Sequence, residues 1–395
     1  MENSKKLKVV FVTSDIREVN GGQICLLNYL RNAPKDIDIS IVDFKDPSIS
    51  FDYNTIYSNI LSDTNLKYIG IPAPRFINNK QSSRLKIVKV LNLNILYPIL
   101  FKIKYKNLIK QVRGADIIYF INSTFISFFH YNNVVFVGGV SISWDTLYAN
   151  DSYLNRAKRL FTLKFRFKHV NAFHSISNKD EVFLDKSKLK IKYKLLLPPG
   201  VDTFVFQPTK SQVYNKKVKF LFLPTRECKG VKVVIDAWKG IKDKSNMELH
   251  IAGGGDLAEY VTEEAKASNF IYHGVLPLDE LAELYRSCDV FVYPTECDNF
   301  GLVILEALSS GLYVITSEYL RGVFDDFEKL KYLEYQPRDP ETIAKRMEEI
   351  AKDKDILNHD RMKQYQHVKD NYSWEMISKK LFDFFFEVAK KEGKT

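Results

Sequence analysis

The stretch Asp289-Val290-Phe291-Val292-Tyr293-Pro294-Thr295-Glu296-Cys297-Asp298-Asn299-Phe300-Gly301-Leu302-Val303-Ile304-Leu305-Glu306-Ala307 decides the fold. Residues 289–293 form a short apolar run that reads as a buried strand. A polar loop follows, and the apolar residues from Gly301 to about Ser310 read as a helix. Outward from this strand–loop–helix step, the same alternation continues on both sides. Toward the N-terminus lie strands at Val218–Leu223, Met247–Ala252 and Phe270–His273. Between them are helices marked by Val231, Val234, Ile235 and Trp238, then near Leu257–Ala267 and Leu278–Arg286. Toward the C-terminus come a strand at Leu312–Thr316 and a helix at Pro340–Lys352. Such an order predicts a parallel sheet covered by helices.

Pro198-Pro199-Gly200 is the sharpest punctuation in the chain and reads as a domain boundary. Before it, Leu7–Thr13, Ile37–Phe44, Ile117–Ile121, Val134–Val137 and Ala172–Ser177 read as strands, with Leu26, Leu27 and Leu30 at helical spacing after a break at Asn20-Gly21-Gly22. The expected architecture is therefore α/β, with two doubly wound Rossmann-like domains facing a central cleft. Neither an internal sequence repeat nor a low-complexity segment is visible.

Composition sets the outer limits. The chain has 395 residues, 45% apolar and 27% charged, which suits folded globular domains and excludes disorder. No uninterrupted run of about 18 apolar residues is present. The best candidate, Ile87–Phe101, is broken by Lys89, Asn92, Asn94 and Pro98. No secretory signal is read at Lys5–Thr13. The four cysteines, Cys25, Cys228, Cys288 and Cys297, do not form a disulfide framework, so a reducing cytoplasmic setting is expected.

In open α/β sheets, ligands bind at the carboxyl ends of strands. Three strand ends of the second half carry unusual loops. Thr225-Arg226-Glu227-Cys228-Lys229-Gly230 places Arg226 and Lys229 just before a helix, where they can clamp a diphosphate or serve as ordinary surface charges. Gly253-Gly254-Gly255 lets backbone approach a phosphate, or simply makes a tight turn. The third loop ends at the Gly301 helix, whose first amides, Gly301–Val303, form a ready anion site. Glu306 sits inside that otherwise apolar helix. A carboxylate there is costly unless paired, and a ribose diol offers two donors; a partly exposed surface glutamate is the plainer alternative.

These residues resemble a family. Asp298-x7-Glu306, with Asn299-Phe300-Gly301-Leu302-Val303 between and Ala307-Leu308 after, looks like the Glu-x7-Glu motif of retaining GT-B glycosyltransferases, family 4-like (glycosyl transferases group 1). The likeness extends along the chain. Gly21-Gly22, Pro199-Gly200-Val201-Asp202 with Phe206 and Pro208, Arg226 with Lys229-Gly230, and Ile251–Gly255 all fit, as do Phe270–Gly274, Asp339-Pro340 and Ser373-Trp374-Glu375. The resemblance implies a GT-B architecture. By that resemblance, residues 1–197 would form an acceptor domain completed by a C-terminal helix 376–395, and residues 198–375 a nucleotide-sugar donor domain. It implies hexosyl transfer from a nucleotide-diphosphate sugar with retention of configuration and no metal or other cofactor. Arg226, Lys229, Asp298 and Glu306 would be catalytic. Gly21, Gly22, Gly254, Gly255, Asn299, Phe300, Gly301, Leu302 and Val303 would bind the donor. The sequence departs from the family in carrying Asp298 where Glu is usual, in the three-residue Arg226–Lys229 spacing, and in Gly138-Gly139 where many relatives carry a histidine. His130 precedes that strand; His130, His169 and His273 show no metal spacing and read as structural.

Charge is uneven. Residues 1–200 carry 30 basic and 15 acidic side chains, while the remainder is net negative. Between Asp63 and Asp116 there is no acid, yet Arg84, Lys86, Lys89, Lys102, Lys104 and Lys106 lie among large apolar residues. That mixture suits an anionic membrane surface, or else a solvated helix face. The expectation is a glycan or lipid-linked acceptor met at the inner face of a membrane, with nucleic acid excluded for want of any recognition signature. A catalytically silent sugar-nucleotide-binding or scaffold protein is the alternative.

Overall fold

The structure is a computed structural model, and it describes residues 6–14, 21–45, 67–72, 97–121, 123–129, 135–138, 164, 167–209 and 217–394. Arg84, Lys86, Lys89, His130 and Gly139 lie outside the described residues. The chain divides into two compact units, one of Met1–Pro198 with Ile377–Thr395, the other of Pro199–Met376.

The first unit contains β1 (Leu7–Ser14), α1 (Gly21–Arg31), β2 (Ile37–Lys45), β3 (Lys67–Pro72), α2 (Tyr97–Lys104), α3 (Lys106–Val112), β4 (Ile117–Phe120), β5 (Val135–Gly138), β6 (Ala172–Ser175), α4 (Asn178–Ser187) and β7 (Tyr193–Leu196). Its strands form one parallel sheet in the order β3-β2-β1-β4-β5-β6-β7. The second unit contains β8 (Val218–Phe222), α5 (Val231–Gly240), β9 (Met247–Ile251), α6 (Ala258–Ser268), β10 (Ile271–Tyr272), α7 (Leu278–Ser287), β11 (Val290–Tyr293), α8 (Leu302–Ser309), β12 (Tyr313–Ser317), α9 (Asp325–Lys329), β13 (Leu333–Gln336), α10 (Pro340–Lys352) and α11 (Arg361–Tyr372). Its sheet is also parallel, in the order β10-β9-β8-β11-β12-β13. A last helix, α12 (Trp374–Lys391), begins in the second unit and continues in the first.

Central strands such as β4 and β11 are buried along their whole length, which is why they read as continuous apolar runs rather than alternating ones. Each unit reverses its winding between its first and fourth strands, and each marks that point identically. Asp116, just before β4, accepts from the Lys8 amide of β1 at 2.9 Å. Asp289, just before β11, accepts from the Lys219 amide of β8 at 3.0 Å. No repeat was expected from the sequence, yet Asp116-Ile117-Ile118 and Asp289-Val290-Phe291 do the same work.

The first unit's core is aromatic. Phe44 stacks on Phe125 at 4.0 Å, and Phe101 of α2 reaches Phe44, Phe128 and Phe129. Helix α12 adds Phe382 and Phe385 against Phe11. His174 is fully buried, its Nδ1 2.7 Å from the Tyr119 hydroxyl and its Nε2 2.7 Å from the Leu197 carbonyl. Burial pushes its imidazole down to about 4. In the second unit, Val231, Val234, Ile235 and Trp238 form the buried face of α5.

Three sequence expectations are corrected. Gly21-Gly22 do not break the chain before a helix; they are the first turn of α1, where the buried Gln23 amide donates to the Ser14 carbonyl at the end of β1. Strands β3, β7 and β13 were not expected, because they are short edge strands with mixed polar sequences. Finally, Cys228 and Cys297 are joined in a disulfide, with Cα atoms 5.6 Å apart across a separation of 69 residues. Cys25 and Cys288 are free and buried. No pairing was legible in the sequence because adjacency of β8 and β11 alone brings those loops together.

Candidate functional site

The loops that follow β8 and β11 meet at the second sheet's switch point, since those two strands are hydrogen-bonded neighbours. The Glu296 amide donates to the Cys228 carbonyl at 3.0 Å, and the disulfide joins the next residue of the same loop. Gly230, at φ 96°, ends the first loop as the N-cap of α5. A Cβ there would lie 2.3 Å from the Pro294 carbonyl oxygen, so only glycine allows the two loops to touch. Arg338 holds the second loop from the far side, donating to the Pro294 carbonyl at 3.0 Å and pairing with Glu296 at 3.0 Å.

The structure brings Lys229 and Asp298 together. The Lys229 ammonium lies 2.7 Å from Oδ2 of Asp298, both side chains being mostly buried. The same oxygen accepts from the Tyr293 hydroxyl at 2.8 Å. Asp298 also stands over the start of α8: its Oδ2 is 3.7 Å from where a Cβ on Gly301 would lie. Gly301 is the left-handed N-cap of α8, at φ 92°, and gives no side-chain cap to the helix. Leu302 and Val303 form the first turn and keep some surface exposed, whereas Phe300 is buried against Phe324. Asn299 remains half-buried in the loop between.

Glu306 lies one turn further along α8. Its surroundings are apolar, with Ile304, Leu305, Ala307 and Leu308 all buried. Part of the residue stays accessible, yet burial of the carboxyl pushes it up to about 7, and the hydrogen bond from Tyr285 opposes that rise. Oε2 accepts from the Tyr285 hydroxyl at 3.0 Å. An acid titrating near neutrality gains and loses its proton around pH 7, so a partner that favours the carboxylate readily shifts its charge.

Arg226 is exposed beside this cluster and has no ion-pair partner among the described residues. Its stem passes over Gly255, where a Cβ would meet Arg226 Cγ at 2.8 Å and the Thr225 carbonyl oxygen at 2.2 Å. Gly255 thus allows the loop after β9 to close on the loop after β8. Gly254 faces Val275. Gly21 and Gly22 belong to the first unit, at the start of α1 beyond β1. Lys102, Lys104 and Lys106 lie on α2 and α3 of that unit. No cluster of three or more metal-ligating side chains assembles among the described residues.

Sequence reasoning missed Tyr285 and Tyr293. Both sit in runs that read as plain core, and nothing in their spacing marks the hydroxyl as directed at a carboxylate.

Of the comparisons with known proteins, the family profile falls on this region, and the structural similarities run over nearly the whole chain. The family profile of the glycosyl transferases group 1 matches residues 205–369. An uncharacterized glycosyltransferase of Methanocaldococcus jannaschii is 27% identical over 162 residues, which are 40% of this chain and 41% of that protein. The chain thus spans about two fifths of that relative's length. Sucrose-phosphate synthase from Thermosynechococcus elongatus has the same fold, with a TM-score of 0.74 at 16% identity over 97% of this chain and 99% of that one. Anabaena HepE in complex with UDP and glucose superposes with a TM-score of 0.68 at 13% identity, over 96% of this chain and all of that one.

Proposed function

We propose that this chain, whose fold is GT-B and whose residues 205–369 match the glycosyl transferases group 1 profile, is a retaining glycosyltransferase. It would move a hexosyl group from a nucleoside diphosphate sugar to an acceptor, without a metal. One observation carries this reading. Where β8 and β11 end, a cation and a carboxylate pair beside an uncapped helix N-terminus, and a second carboxylate, Glu306, lies on the second turn of that helix. The leaving diphosphate gains charge as the glycosidic bond breaks. Lys229, the exposed Arg226 and the Leu302 and Val303 amides would stabilise that charge more in the transition state than before it. Because Lys229 already rests on Asp298, it is preorganised rather than recruited. Glu306 would accept from the ribose diol and Asp298 from hydroxyls of the transferred sugar. The similarity to a structure holding UDP and glucose supports a nucleotide sugar as donor.

The acceptor is proposed to be lipid-linked or held at an anionic membrane surface. No helix among the described residues is long and apolar enough to cross a membrane. On α2, however, Phe101 is anchored in the core while Ile99, Leu100 and Ile103 are 53%, 52% and 71% exposed, beside Lys102 and Lys104. Exposed apolar side chains flanked by cations suit insertion at an anionic interface.

The test is incubation of the full chain with a panel of UDP- and GDP-hexoses and lipid-extract acceptors, with and without EDTA. Expected is release of one nucleoside diphosphate, insensitive to EDTA, with proton NMR showing the donor's anomeric configuration kept in the product. Binding without turnover on any acceptor would favour a silent sugar-nucleotide-binding protein instead.

A further inference from the structure

We propose that the two buried tyrosines beneath the site, Tyr285 and Tyr293, are positioning residues, each assigned to one carboxylate and hence to one half of the donor. Tyr285 orients Glu306 for the nucleoside, and Tyr293 orients Asp298 for the transferred sugar. The inference rests on the nucleotide-sugar reading above and adds to it a division of labour between two side chains that touch no ligand.

Both rings are fully buried. They belong to one aromatic column: Tyr285 lies 5.9 Å from Phe291, which stacks on Tyr293 at 5.6 Å, and Phe206 closes the column edge-on against Tyr285. Phenylalanine would fill the same space. What tyrosine adds is a hydroxyl that must find a partner in the core. In each case the partner is a carboxylate oxygen of the site. Tyr285 donates to Oε2 of Glu306 at 3.0 Å, with the Val303 carbonyl a second acceptor at 3.3 Å. Tyr293 donates to Oδ2 of Asp298 at 2.8 Å. Each bond occupies one oxygen. Among the described residues, Oε1 of Glu306 and Oδ1 of Asp298 have no hydrogen-bond partner. The carboxylates are therefore turned, with one oxygen held from below and the other left for a ligand. Burial and the neighbouring carboxylates hold both phenols well above their usual range, so they stay donors at any pH of interest. The titratable group acting on Glu306 is Tyr285 of α7, and those acting on Tyr285 are Glu306, Tyr293 and Cys288.

The experiment compares Tyr285→Phe and Tyr293→Phe in the full chain. Affinities for UDP and UDP-glucose are measured by calorimetry from pH 5.5 to 8.5, with GDP and GDP-mannose run beside them. For Tyr285→Phe, affinity for both members of the better-bound pair should fall about tenfold at pH 7. It should largely recover at pH 8.5, because loss of the donor moves the Glu306 titration upward. For Tyr293→Phe, affinity for the free nucleotide should stay within about twofold at every pH, while the preference for the sugar-bearing form falls about fivefold. A loss that is uniform with pH in Tyr285→Phe, or equal for nucleotide and nucleotide sugar in Tyr293→Phe, overturns the proposal. So does no effect in either. If the unsubstituted chain binds none of the four probes, the nucleotide-sugar reading has failed. The positioning role of Tyr285 is then judged by carbon-13 NMR of the Glu306 carboxyl, identified with Glu306→Gln. A titration unmoved by Tyr285→Phe sinks it.

Discussion

Glu306 illustrates what one residue's surroundings decide. The sequence shows an acid in an apolar helix, and burial raises its carboxyl to about 7 from the ordinary 4.5. The sign of the consequence follows. Between those values the folded chain holds a proton that the unfolded chain has released, so stability falls as pH rises through that window. Glu306→Gln cannot ionise and should lack this loss. Thermal unfolding from pH 4.5 to 8 should therefore show the variant gaining on the parent protein as pH rises, while its nucleotide affinity falls at least about tenfold. Parallel stability curves would show that Glu306 is not held protonated. Asp298 was legible as a site residue only through its spacing to Glu306. Its attachment to Lys229 was not, because 69 residues separate the two in sequence and only folding makes them neighbours.

At the scale of elements, the site depends on two loops touching. Gly230 was visible in the sequence as the residue after Lys229, yet the reason for it is tertiary: its left-handed backbone and the Pro294 carbonyl exclude any side chain. Gly230→Ala should destabilise the second unit by about 1–3 kcal/mol. It should also weaken nucleotide binding by separating Lys229 from Asp298. Urea unfolding together with calorimetry checks both, and an alanine variant of unchanged stability would contradict this packing. The Cys228–Cys297 bond spans the same contact. Spacing rules failed there because they detect cysteines close in sequence, whereas parallel strands place distant loops side by side. Helix α8 itself was legible to within a residue or two, as its apolar run and glycine N-cap are local properties.

On the scale of the whole molecule, basic charge is gathered in the first half of the chain, while the donor-site candidates after β8 and β11 lie in the second unit. That separation predicts binding to vesicles independent of nucleotide. The full chain should sediment with anionic vesicles at low salt, release at high salt, and bind neutral vesicles several-fold less. Ile103→Ser with Leu100→Ser should weaken sedimentation without changing nucleotide affinity, since both side chains are exposed on α2. Equal sedimentation with neutral vesicles would remove the membrane reading.

By itself the sequence determined the alternation of strands and helices, the parallel α/β class, the sheet-end loops that carry charge, and the asymmetry of that charge. All are set by local periodicity and composition, which a chain displays before it folds. Tertiary structure alone decided that Lys229 would meet Asp298, that Tyr285 and Tyr293 would donate to the two carboxylates, and that two cysteines would join. The first and last join residues 69 apart, which meet because β8 and β11 are neighbours in the sheet, an order no local preference encodes. Tyr285 meets Glu306 across two helices, and Tyr293 meets Asp298 only five residues on, where the path of the folded loop sets the direction of the hydroxyl.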